Sequence, residues 1–168
     1  VYDVEIFQNC FHCCCKDSEN GEIYKFEISE RKNQLTDLVD FFLQSGIIFA
    51  GYNNHHYDDV IINYIIDYKS KLARLPYWQV CQSLFNLSQY IVKDEDGSRE
   101  KLKRWKYAHY FKSMDLLTMQ FSQKLRVGLK TMQATMHYKN VYEYEGDFEK
   151  PIPLSEIDNM ISYNINDV

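Results

Sequence analysis

The feature that most constrains this chain is its opening run, Val1-Tyr2-Asp3-Val4-Glu5-Ile6-Phe7. Valine, isoleucine and aromatic residues favour strands, and the pleat turns residues 3, 5 and 7 to one face. Asp3 and Glu5 therefore stand side by side on a strand that otherwise belongs in a core. Two unpaired carboxylates in that setting repel each other and lose hydration, so a positive group must compensate them. Hard divalent cations with oxygen ligands do this most directly. A single D-x-E tripeptide arises readily by chance, so its meaning depends on acids elsewhere in the chain that can return to this strand.

With 168 residues the chain has the length of one domain, 1–168. Its composition is that of a globular protein. The 14 Tyr and 10 Phe serve either a core or platforms on which bases stack. A formal net charge of −5 argues against gripping duplex nucleic acid through a broad basic face. It leaves open an enzyme that meets nucleic acid through bound cations. Five cysteines, three of them consecutive at Cys13 to Cys15, suit a reduced, cytoplasmic setting better than a disulfide framework. Cys10 and Cys13 have C-x-x-C spacing without a second pair, which favours strand packing over zinc. No apolar run is long enough to span a membrane. Starting on Val1 inside a strand and ending on Asp167-Val168 inside a helix, the sequence reads as a piece of something longer.

Three antiparallel strands are expected first: the opening run, then 11–16 and 22–28 around a polar turn ending in Asn20-Gly21. Leu35, Leu38, Val39, Phe42 and Leu43 recur at helical spacing, with Gly46 beyond them. Ile47 to Ala50 reads as a buried strand of a parallel arrangement. After the polar loop 51–59 come helices toward Arg74 and from Pro76 through Ile91. The charged segment 93–104, with the basic cluster 101–106, reads as a solvated turn. Ser113 to Met119 reads as a strand entering a helix, and Gly128 opens another. An acidic loop over 143–153 precedes a final helix with an apolar stripe at Ile157, Met160, Ile161 and Ile165.

Two of these stretches carry further acids. Asn53 to Asp58 lies where a strand ends and a helix begins, the usual place for ligands in α/β folds, though Asp58 also suits a helix cap. On the last helix, Tyr163 and Asp167 are four residues apart and share a face.

In chain order the pattern is D-x-E on a first strand, G-Y-N-x-x-x-Y-D after a second, and Y-x-x-x-D on a closing helix. This resembles the three motifs of the DEDD (RNase H-like) 3′–5′ exonuclease superfamily in its tyrosine variant. It is most like the proofreading domains of phage and family B DNA polymerases. The resemblance spans Asp3 to Asp167 and implies an RNase H-like mixed central sheet, three antiparallel strands followed by parallel ones, flanked by helices. It implies Asp3, Glu5, Asp58 and Asp167 as ligands of two divalent cations, Mg²⁺ or Mn²⁺, and Tyr163 as the group that orients the attacking water. Asn53 would bond the substrate, Phe7 and Tyr52 would touch terminal bases, and Lys130 would contact phosphate. The substrate would be a single-stranded DNA 3′ end, with RNA as the alternative. A polymerase domain in the same longer chain is an implied partner, and a host cytoplasm the implied location. A non-catalytic module that binds single strands is the rival of another class. One departure is that Ile6 and Phe7 follow D-x-E, where many relatives carry Thr or Ser. Asp59, beside Asp58, is an alternative ligand.

Overall fold

The computed structural model describes residues 1–93, 101–102, 105, 109–120, 127–138, 141 and 144–168. The charged segment 93–104 lies almost wholly outside them, as does half of the basic cluster that follows. Strands β1 (Tyr2–Ile6), β2 (Phe11–Lys16) and β3 (Ile23–Ile28) form an antiparallel sheet in that order. Opposite Asp3 and Glu5 on β1 stand Cys14 and His12 on β2. The turn between β2 and β3 closes through the Asp17 amide, which donates to the Glu22 carbonyl at 2.9 Å.

Helix α1 (Leu35–Phe42) lays Leu35, Leu38, Val39 and Phe42 against the core. Strand β4 (Ile48–Gly51) then pairs in parallel with β5 (Lys112–Asp115), Gly51 opposite Asp115. Between them run α2 (Asp58–Asp67), α3 (Lys69–Leu72) and α4 (Tyr77–Lys93). Beyond β5 come α5 (Leu116–Gln120), α6 (Leu129–Thr135) and α7 (Ile157–Asn166).

The expected architecture is mixed α/β, and the molecule is mixed α/β. The strands, however, form two ladders, one three-stranded and antiparallel, the other two-stranded and parallel, with β1 beside β4. β4 is also less buried than its apolar sequence suggests. Ile48 is 58% exposed while Phe49 is buried, because a two-stranded sheet covers only one face among the described residues.

Aromatic packing joins the two sheets. The buried Tyr2 ring meets Phe42 and Phe49 edge-on at 5.3 and 5.9 Å, and Phe42 stacks on Phe49 at 4.3 Å. Each such pair adds about 0.5–1.5 kcal/mol beyond burial of its area. Many of the aromatics are thus core, and β1 is the strand on which that core rests. A second cluster of Phe7, Cys10, Ile152, Ile157 and Met160 seats α7 across the first sheet. Asn9 fixes the incoming loop, donating to the Ile152 carbonyl at 2.9 Å and accepting from its amide at 2.8 Å. At the far end, Lys16 Nζ donates to the Val168 carbonyl at 3.3 Å. Held at both ends, α7 returns the end of the sequence to β1.

Candidate metal centre

Alternation along β1 sends Tyr2, Val4 and Ile6 inward and leaves Asp3 and Glu5 half-buried on the opposite face. Asp167 follows the last turn of α7 and joins them. One oxygen from each of Asp3, Glu5 and Asp167 lies within 4.8 Å of the others. Asp58 enters from the start of α2, where its Oδ1 accepts the Val4 amide at 3.1 Å. It stands beside Asp3 without belonging to the tight trio. Residues 3, 5, 58 and 167 therefore converge on one strand.

Their electrostatics follow from crowding. Burial pushes the Asp3 carboxyl up to about 7, with the Asp167 charge adding to the shift. Glu5 is raised well above the carboxylate range by burial, then by Asp3, Asp167 and Asp58. Asp58 is likewise raised by burial and the Asp3 charge, against the pull of the Val4 amide. Such groups bind protons more tightly than ordinary carboxylates do, and a cation competes with those protons. The Tyr163 phenol is raised too, first by burial and then by the Glu5 charge, so it stays a donor. Among the described residues, Lys130 on α6 supplies a cation here. Its ammonium bonds Asp167 and sits 4.6 Å from the centre of the Tyr163 ring. Gln133 donates to the same Asp167 oxygen at 3.2 Å. An oxygen-only trio with one borrowed ammonium suits a hard divalent cation.

Two residues of the centre are not singled out by the sequence motifs. Asn164, wholly buried on α7, donates from Nδ2 to Asp3 Oδ2 at 2.6 Å. Its carbonyl oxygen lies 3.0 Å from His12 Nδ1. That oxygen only accepts, so the imidazole carries its proton on Nδ1 and donates it. Burial pulls His12 down to about 4, which keeps the ring neutral and the relay intact. The one signal in the sequence is position: His12 is two residues from Cys14, the register partner of Asp3, and Asn164 adjoins Tyr163.

The expected substrate contacts fare differently. Phe7 is fully buried, stacked on Phe148 at 5.0 Å and edge-on to Tyr144 at 5.6 Å. The structure corrects its expected base contact, because the loop before α7 folds back over the ring. Lys130 faces Asp167 where a phosphate contact was expected. The Tyr52 hydroxyl donates to the Val127 carbonyl at 2.6 Å. Asn53 is exposed in a left-handed conformation at φ 61°, its amide donating to Asp115 Oδ1 at 2.9 Å. Asp59 turns away from the trio to accept from Tyr2, Asn54 and Ser113. Of Asp58 and Asp59, only Asp58 reaches β1 through its backbone. Cys13 on β2 and Cys10, just before that strand, pack into different apolar clusters.

Neither a family model, a curated protein nor a solved structure matches this chain.

Proposed function

We propose that the chain is an RNase H-like 3′–5′ exonuclease domain that hydrolyses single-stranded DNA ends to nucleoside 5′-monophosphates. The observation that carries this reading is the meeting of Asp3, Glu5 and Asp167 within 4.8 Å, with Asp58 on the flank of the same strand. Acids so distant in sequence meet at a cost in repulsion that a purely structural role does not repay. Asp3, Glu5 and Asp167 would hold one divalent cation, Mg²⁺ or Mn²⁺, and Asp3 with Asp58 a second. Bound there, the ions would acidify a water and neutralise the leaving 3′ oxygen.

The chain's own part is positional. Asn164 fixes the rotamer of Asp3, and the Val4 amide fixes that of Asp58. Tyr163, kept protonated, donates to an incoming water and does not take its proton. Lys130 supplies positive charge beside Asp167 at the edge of the centre. No helix among the described residues is long and apolar enough to cross a membrane. A polymerase domain following in a longer chain, acting in a cytoplasm, fits this proofreading role.

The test is a 5′-labelled single-stranded DNA oligonucleotide incubated with Mg²⁺ or Mn²⁺, beside the same sequence as RNA. Stepwise shortening from the 3′ end, abolished by EDTA, is expected, with DNA preferred. Full activity in excess EDTA, or binding without cleavage, would overturn the proposal. Preference for RNA would make it an exoribonuclease of the same type.

A further inference from the structure

Helix α6 reaches the acid trio through Asp167. Lys130 and Gln133 stand three residues apart on it and so share a face. Both donate to the same oxygen, Asp167 Oδ1, the Gln133 amide at 3.2 Å. The entry to the helix is held separately, where the Tyr52 hydroxyl donates to the Val127 carbonyl at 2.6 Å. Along its length α6 buries none of its own side chains. Little apolar area therefore opposes its departure.

Two features set this attachment against itself. A carboxylate only accepts, so the Gln133 nitrogen must face Asp167 and its oxygen must face elsewhere. That oxygen, Oε1, is shut off from solvent and has no hydrogen-bond partner among the described residues. A buried acceptor left without a donor destabilises the arrangement that buries it. Moving α6 clear of Asp167 would hydrate Oε1. The second feature is charge: the Lys130 ammonium occupies a carboxylate of the only trio of ligating side chains among the described residues. An ammonium and a divalent cation repel each other at one carboxylate.

We infer that α6 is a latch, closed on Asp167 in the metal-free chain and released from it when Mg²⁺ or Mn²⁺ occupies the trio. The latch presupposes the metal centre proposed above and gives it a gate. Closed, Lys130 and Gln133 quiet the repulsion among the acids, and the Asp167 side chain is only 5% exposed. Open, both donors leave Asp167 to the ion, and Oε1 gains water. A helix of 7 residues without a surface to dock on is not stable in water, so release also loosens its backbone.

A latch and a support predict opposite signs. Residues that support a ligand raise ion affinity, and their removal weakens it. A latch competes with the ion, and its removal strengthens binding. Calorimetric titration with Mg²⁺ alone should show Lys130→Met binding about tenfold tighter than the wild-type chain, and Gln133→Met about threefold tighter. Thermal melts check that each variant folds. Amide hydrogen exchange on the wild-type chain needs no substitution. The Met132 and Met136 amides, which donate to the Gly128 and Met132 carbonyls, should exchange about tenfold faster in saturating Mg²⁺, with α7 unchanged or slower. Weaker Mg²⁺ binding by Lys130→Met, or slower exchange along α6 on adding Mg²⁺, would overturn the latch and leave the metal centre standing. A wild-type chain that does not bind Mg²⁺ would overturn both.

Discussion

Asn164 reaches across from the closing helix to donate to Asp3 Oδ2 at 2.6 Å, binding the two ends of the sequence at the centre. Asn164→Ala removes that donor and frees His12 of its acceptor. We expect metal-dependent cleavage to fall at least tenfold, with the fold lost by no more than about 1–3 kcal/mol for the unpaired buried groups. Asn164→Asp should be worse, since it adds an acid beside four others. Cleavage rates set against urea melts separate the two effects, and an Asn164→Ala chain with undiminished cleavage would show that Asp3 needs no such support.

Lys130 offsets the repulsion around Asp167 when no divalent ion is bound. Lys130→Met should therefore destabilise the metal-free chain by about 2 kcal/mol, as for loss of a charge-assisted hydrogen bond. Saturating Mg²⁺ should restore much of the difference. Thermal melts with and without Mg²⁺ measure it; equal losses in both would refute the offset.

Asp3 is pushed up to about 7, and Glu5 and Asp58 move the same way. Folded carboxyls with raised values hold protons that the unfolded chain has already released. The metal-free fold is then favoured below about pH 4, and that contribution is lost as pH rises toward 7. A divalent cation displaces those protons, so its affinity should rise from pH 5 to pH 8 with net proton release. Calorimetry in two buffers of different ionisation enthalpy counts the protons. An affinity that falls over this range would contradict the crowding.

Tyr163→Phe keeps the ring under Lys130 and deletes only the hydroxyl. Turnover should drop about 10²-fold, within the range for a positioned proton-handling group, while metal affinity holds. Unchanged turnover would remove the phenol from the mechanism.

All five cysteines are free and buried, and burial raises Cys10 and Cys81 to about 12. Reaction with a thiol reagent at pH 8 should be slow in the folded chain and complete in denaturant. Prompt labelling of three or more thiols would show that β2, which carries Cys13, Cys14 and Cys15, opens readily.

How much of this is legible in the sequence depends on how local each cause is. Strand alternation placed Asp3 and Glu5 on one face, because a period of two is a property of the backbone. The hairpin at Asn20-Gly21 and the stripe of the last helix are equally local. Phe7 obeys a different cause: its alternation points it toward the acids, but β1 stops at Ile6 and residues 144–152 close over the ring. Nothing in the seven residues around Phe7 reveals that loop. The split into two ladders is invisible for the same reason, since β1 lies beside β4 without pairing with it, and no periodicity encodes that. His12 and Asn164 each have an ordinary local explanation, and only their meeting across α7 and β2 gives them a role.

The alternation of β1 has one last consequence. Tyr2, Val4 and Ile6 are wedged among rings and aliphatic chains, so the intervening acids have no freedom to part from one another. A slip of one residue against β2 would drive Asp3 into the space beside Phe42 and Phe49 and lift Tyr2 into water. Correct strand alignment and an assembled cation pocket are thus a single event, and a mispaired chain is silent by construction.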